Sequence, residues 1–351
     1  TGGIIACGML IPSAKNSLKG KYRLEEIVAR YFEKGGEIFK KPLIHQIKSL
    51  WGLRDEKYPN TALKDSFREQ FGDFRTSDLL RPCLLTTYEI EKRKSVFITQ
   101  HDAVQTPQDD FFVRDAVLAT CSAPTFFEAV KIPTILGDTK VFIDGGVFAN
   151  NPAMCAYAEA RKISFEKVKH PTSKDMLLIS LGTGHVNLGY SYRKAKDFGF
   201  LQWARPLISI MMSSNSETVS FQLQWLFDAG FNAENCFRIE PELLHANVDM
   251  DDASKSNMDA LREAGDLLAG VRPPSLGVAG LQDAQGGEVG VLLARRGSVT
   301  GAPESRDLRV LQVERAGPLE ELRVLRVRSR PAAFDIVDTE RIQCLRDPQL
   351  V

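Results

Sequence analysis

An excess of charge of either sign is what this sequence most plainly lacks. Its 351 residues carry 45 Lys and Arg against 45 Asp and Glu. A chain with no basic surplus offers no electrostatic footprint for nucleic acid. Long apolar runs are missing as well, none approaching the ~18 residues of a membrane span. No basic region precedes an apolar stretch at the front, so the opening residues do not read as a secretory signal. The six cysteines (Cys7, Cys83, Cys121, Cys155, Cys236 and Cys344) are scattered, with no C-x-x-C. Their spacing indicates neither a zinc site nor a disulfide framework, and a reducing, cytoplasmic compartment is the simpler reading. No metal and no other cofactor is expected. A starting Met is also missing: residue 1 is Thr, inside a motif, so the chain is expected to begin within a longer protein.

Two absences are local. No Lys follows Lys255, and Phe334 is the only aromatic after Phe237. Arg, Gly, Val and Leu take over. The shift sets a boundary near 271–274 and divides the chain into residues 1–268 and an Arg/Gly-rich tail, 269–351. With so little aromatic content, the tail is not expected to pack a core of its own. Within it 308–313 echoes 322–327, but two copies do not make a repeat architecture.

What is present suits a large α/β domain, since 43% hydrophobic residues allow a full core. Residues 1–10 are small and apolar on nearly all sides and fit a helix packed inside the domain, with glycines where another element comes close. Leu24, Ile27, Val28, Tyr31 and Phe32 recur at helical spacing, and Gly35-Gly36 is expected to stop that surface helix. Residues 84–88 and 95–99 read as strands around a charged turn, 113–120 as a helix, and 176–181 as a continuous apolar strand. Strands with little polar alternation predict a mainly parallel sheet covered on both faces. The stretch 198–227 reads as a mostly helical segment. Its apolar residues, among them Trp203, Ile208, Met211, Met212, Phe221 and Trp225, are expected in the core, with an acyl-chain pocket as the lesser alternative.

The chain is organised around Val141-Phe142-Ile143-Asp144-Gly145-Gly146, followed by Asn151-Pro152. Apolar residues run into a carboxylate at a strand end, two glycines leave backbone room beside it, and Asn151 and Pro152 are placed to cap and open a helix. At such strand ends ligands and chemistry collect in open α/β sheets. The ordinary alternative is that Asp-Gly-Gly is a turn and nothing more. Neither Gly145-Gly146 nor Gly182-Thr183-Gly184 has the form of a phosphate-binding loop.

Several stretches taken together carry a resemblance. Thr1-Gly2-Gly3 is what remains of G-T-S-T-G-G without its first three residues. Ala119-Thr120-Cys121-Ser122-Ala123-Pro124-Thr125-Phe126-Phe127 is similar to A-T-S-A-A-P-T-Y-F, Asp144-Gly145-Gly146 fits D-G-[GA], and Ser180-Leu181-Gly182-Thr183-Gly184 fits the strand after it. In order and spacing the chain resembles the patatin-like phospholipases over about residues 1–268. The resemblance implies a three-layer α/β/α fold with a mainly parallel central sheet, incomplete at its N-terminus. It implies an acyl hydrolase whose Ser, at a tight elbow, attacks an ester carbonyl, with Asp144 taking the proton and no His between them. Indeed none of His45, His101, His170, His185 and His245 lies in a motif with a Ser; His101-Asp102 reads as surface loop. The nucleophile is expected immediately before Thr1 and the glycine-rich oxyanion loop further upstream, both outside this chain. Ser13, Ser17 and Ser122 lack the elbow context. The implied substrate is a phospholipid or other acyl lipid, met by peripheral contact with a membrane. The alternative is a non-catalytic patatin-like module with a lipid-binding or scaffold role.

Overall fold

The computed structural model describes residues 1–14, 17–39, 58–164, 168, 170–185 and 189–270, and the backbone of three strands at 289–295, 311–315 and 322–326. The expected boundary at 271–274, His45 and most of the tail lie outside the described residues. The chain divides into two compact units, Thr1–Gly301 and Ala302–Val351.

The larger unit is α/β. In chain order it holds α1 (Gly2–Leu10), α2 (Leu24–Ile38), α3 (Thr61–Phe71), β1 (Leu84–Glu89), β2 (Lys94–Thr99), α4 (Gln100–Gln105), α5 (Val113–Cys121), β3 (Val130–Pro133), β4 (Thr139–Asp144), α6 (Ala153–Lys162), β5 (Met176–Leu181), the single turn α7 (Tyr192–Ala195), α8 (Phe200–Ala229), β6 (Cys236–Ile239), α9 (Lys255–Leu268) and β7 (Val289–Arg295). The smaller unit contains the antiparallel hairpin β8 (Leu311–Arg315) and β9 (Leu322–Arg326).

One sheet has the order β2-β1-β4-β3 and the other β6-β5-β7. Most described strand pairings are antiparallel, where the sequence predicts a mainly parallel sheet; among the described strands only β5 and β6 pair in parallel. For β1–β2 and β3–β4, connection length is the reason. β1 and β2 are joined by the charged turn at 90–93, and β3 and β4 by a turn closed by Thr134 N–H donating to Asp138 O at 2.7 Å. A short link can only return a strand antiparallel, whereas a parallel neighbour needs a crossover. Between β5 and β6 that crossover is α8.

Two apolar clusters hold the larger unit. The first gathers Phe71, Phe111, Val113, Val117 and Phe142, all fully buried, between the four-stranded sheet and α1, α3 and α5. The second places Tyr157 of α6 and Leu223 and Phe227 of α8 against Met176 and Leu178 of β5. α2 does not stop at Gly35-Gly36 but runs through to Ile38. Two interior glycines disfavour a helix by roughly 1 kcal/mol each. Packing of Ile38 and Phe39 on the first cluster offsets that, a tertiary contact that spacing alone does not reveal.

α8 corrects another expectation. Leu223 and Phe227 are core residues, but Trp203, Ile208, Met211, Phe221 and Trp225 are exposed. His101 and Asp102 sit on a short surface helix rather than a loop, because Thr99 Oγ1 accepts the Asp102 N–H at 2.9 Å and caps it.

Candidate active site

Asp144 is the last residue of β4. It is paired with Thr87 of β1, and its own N–H donates to Ser122 O at 2.9 Å. Sheet and the passage after α5 together fix its backbone. Its Oδ1 accepts the Gly146 N–H at 2.7 Å, closing the turn. The two glycines do different work. A Cβ on Gly145 would collide with the Thr86 carbonyl of β1, so only glycine lets the turn lie that close to the strand. A Cβ on Gly146 would stand 3.3 Å from Asp144 Oδ1, crowding the carboxylate itself.

Beyond the turn, α8 grips the chain. Asn215 Nδ2 donates to Phe148 O at 3.0 Å, and its Oδ1 accepts the Asn150 N–H at 2.9 Å. Asn151 is buried; its Oδ1 accepts the Ala153 N–H at 3.0 Å and caps α6 from one position further back than expected, Pro152 being the formal N-cap. Asp144 thus stands on a loop clamped at both ends.

Thr1 is the N-cap of α1, and its carbonyl accepts N–H groups from Ile4 at 3.0 Å and Ile5 at 3.2 Å and the Tyr31 hydroxyl at 3.2 Å. Gly3 allows α1 to press on α5, since a Cβ there would come within 2.6 Å of Thr120 Cγ2. Thr1 of the elbow remnant and Asp144 of the Asp-Gly-Gly turn, far apart in sequence, line one cavity of about 140 Å³. Thr1, Cys121 and Asp144 form its polar end. Ile27, Tyr31 and Ile38 of α2, Leu63 and Phe67 of α3, and Met250 and Met258 supply apolar walls. Arg30 and Lys34 stand at its edge, both paired to Glu69, at 3.4 and 3.7 Å.

Burial pushes the Asp144 carboxyl above the usual carboxylate range; the Thr1 ammonium and the Gly146 N–H pull the other way without cancelling it. Burial also raises the Cys121 thiol, which the Thr1 ammonium opposes and the Asp144 charge adds to. A half-buried carboxylate of raised pKa at the end of an apolar slot is suited to act as a general base.

The sequence alone marks α2 only as a surface helix, and it does not show Cys121 as a neighbour of the carboxylate. The signal for α2 was the apolar set Ile27, Tyr31 and Ile38 on one helical face; its spacing says buried but not against what. Ser122 is buried and donates to Leu118 O at 2.7 Å, while exposed Ser13 and half-buried Ser17 bond each other at 2.8 Å. No histidine is among the cavity's lining residues. Among the described residues no group of three or more His, Cys, Asp or Glu side chains could hold a metal, and no helix is long and apolar enough to cross a membrane.

Residues 1–157 match the family model described as patatin-like phospholipase. The chain is 28% identical over 281 residues to "Probable inactive patatin-3-Kuras 1" of Solanum tuberosum, covering 76% of this chain and 73% of the relative. It is 28% identical over 291 residues to "Patatin-like protein 2" of Oryza sativa subsp. indica, covering 76% and 71%. It is 26% identical over 282 residues to "Patatin-12" of Solanum tuberosum, covering 76% and 70%.

Proposed function

We propose that the chain, whose residues 1–157 match the patatin-like phospholipase family model, supplies the base and the acyl pocket of a lipid acyl hydrolase that works by a Ser–Asp dyad. The observation that carries the reading is the shared cavity: Asp144 and Thr1 line one apolar slot. A Ser joined to the nitrogen of Thr1 would stand at the N-terminus of α1, beside the carboxylate. Its Oγ attacks the ester carbonyl while its proton passes to the Asp144 carboxylate. The carbonyl oxygen becomes an oxyanion held by backbone N–H groups, those of the upstream glycine-rich loop among them. The C–O bond then breaks, the leaving alcohol takes the proton back from Asp144, and water attacks the acyl-Ser with Asp144 again as base. The apolar walls suit a fatty-acyl chain, so the substrate is a phospholipid or another acyl lipid. The reading includes a cytoplasmic protein that meets its substrate by peripheral membrane contact.

Residues 1–351 alone contain no Ser at that position, and we expect no ester turnover from them. The test adds a glycine-rich loop and Gly-x-Ser ahead of Thr1 and assays a p-nitrophenyl ester and a fluorogenic phospholipid. Turnover that appears with the Ser and is lost in Asp144→Asn supports the dyad. Turnover by residues 1–351 alone that survives Asp144→Ala means different chemistry.

The second reading is a non-catalytic lipid-binding module. It draws on the same cavity, present here without the Ser, and on a relative whose name calls it probably inactive. Fatty-acid binding by residues 1–351, with no turnover after the upstream segment is restored, would favour it.

A further inference from the structure

The first turns of α8 stand clear of the core. No described residue of α8 before Ser216 is buried. Between Gly199 and Ser216 the only charged residue is Arg205. At about 100° per residue, Trp203, Leu207, Ile208, Ile210 and Met211 span an arc of about 160°. All five are exposed, from 38% at Trp203 and Ile210 to 56% at Met211. Gln202, Ser209 and Ser213 occupy the opposite side. Phe221 and Trp225 continue the Trp203–Leu207 row and are 62% and 57% exposed. An apolar face of this extent on a soluble surface marks an interaction site.

Three features bear on what covers it. The arc is wider than the narrow strip that joins two helices in a seam. Aromatic residues with a polar tip, which favour the membrane–water boundary, cluster at its start: Tyr190, Tyr192 and Trp203 are 49%, 82% and 38% exposed. Exposed Arg193 and Lys196 accompany them, cations that an anionic lipid surface attracts, although Lys196 stands 3.5 Å from the Asp197 carboxylate. An amphipathic helix with aromatics and cations at its border lies in an interface plane.

We propose that residues 203–211 of α8, with Tyr190, Tyr192, Arg193 and Lys196, form a docking surface for an anionic lipid bilayer. This deepens the hydrolase reading, on which it rests for the substrate's being lipid. It also places the catalytic loop close to the bilayer. Met212 and Asn215 follow directly on the docking face, and they hold Asn150 and Phe148: Asn150 Nδ2 donates to Met212 O at 3.3 Å.

The test uses residues 1–351 and reads binding without turnover, so an error in the dyad assignment would leave it intact. Co-sedimentation is measured with phosphatidylcholine vesicles and with vesicles that also contain phosphatidylglycerol. Wild type should bind both, and the anionic vesicles more tightly, by about fivefold for each cation engaged. The triple variant Leu207→Ser, Ile208→Ser, Met211→Ser should lose at least about tenfold in partition to either vesicle, with an unchanged melting temperature because all three side chains are exposed. Arg193→Gln with Lys196→Gln should lose only the preference for anionic vesicles. Wild-type failure to bind, or binding by the triple variant as strong as wild type, overturns the proposal. So does a wild-type dimer that the triple variant turns into a monomer, since the face would then belong to a second copy.

Discussion

Asp144 is a carboxylate kept where ionisation is costly. Its raised pKa has two consequences of opposite sign. For the proposed chemistry only the ionised form accepts the Ser proton, so activity of the restored protein should fall on the acid side as the carboxyl protonates. With Thr1 in peptide linkage the ammonium that lowers this pKa is gone, and the acid limb should lie higher still. For stability, a carboxyl whose folded pKa lies above its unfolded one favours folding below the unfolded value, and that contribution is lost as pH rises through the folded one. Asp144→Asn should therefore raise the melting temperature at neutral pH, with the gain shrinking as pH falls, while turnover drops about 100-fold or more. A variant that melts lower at neutral pH would mean that the carboxylate is structural. Gln70 offers a second case at this scale. It is 4% exposed and lines the cavity, and its Nε2 has no hydrogen-bond partner among the described residues. Replacing an unsatisfied buried amide by an apolar group of similar size should stabilise, so Gln70→Leu is expected to gain about 1 kcal/mol in denaturant unfolding. Its backbone carbonyl keeps the bonds from Lys21 Nζ and the Tyr22 hydroxyl in either case.

Elements decide how rigidly that carboxylate is held. β4 brings Asp144 to the sheet end, and α8 fastens the loop beyond it through Asn215. Asn215→Ala removes the acceptor for Asn150 N–H and the donor to Phe148 O. It should cost about 1–2 kcal/mol of stability, and in the restored protein it should lower kcat more than it raises KM. Equal kcat with raised KM would make Asn215 a binding residue instead. Gly145→Ala should cost more, about 2–3 kcal/mol, because the methyl group meets β1 backbone that cannot swing aside; unchanged thermal melting would sink that account. The two glycines and the carboxylate were legible in the sequence because a strand end, a tight turn and a helix start each leave local marks. α2 and α8 show where local marks fail. Both announce themselves as helices by spacing, yet whether an apolar face meets core, cavity or solvent depends on partners far along the chain. Gly35-Gly36 reads as a stop for the same reason, the packing of Ile38 and Phe39 being invisible from neighbours in sequence.

At the scale of the whole molecule, the α/β class follows from apolar strands interleaved with helices, whereas strand direction depends on how each connection is spent. The links 90–93 and 134–138 are too short for a crossover, so those strands return antiparallel. The long α8 segment allows the single parallel pair. The β7 partner for β5 was not legible, since 289–295 lies in the compositionally shifted tail. It pairs antiparallel along β5, from Met176 opposite Arg295 to Leu181 opposite Val289. On its other side β5 meets β6. Without β7, the N–H and C=O groups along that side of β5 lose their partners, and an apolar strand with an open edge is a template for pairing with another chain. A chain ended at Gly270 should therefore self-associate, giving concentration-dependent light scattering and a melt lower than that of residues 1–351. If it stays a monodisperse monomer with the same melting temperature, the pairing contributes nothing to stability and residues 1–268 stand as a domain by themselves.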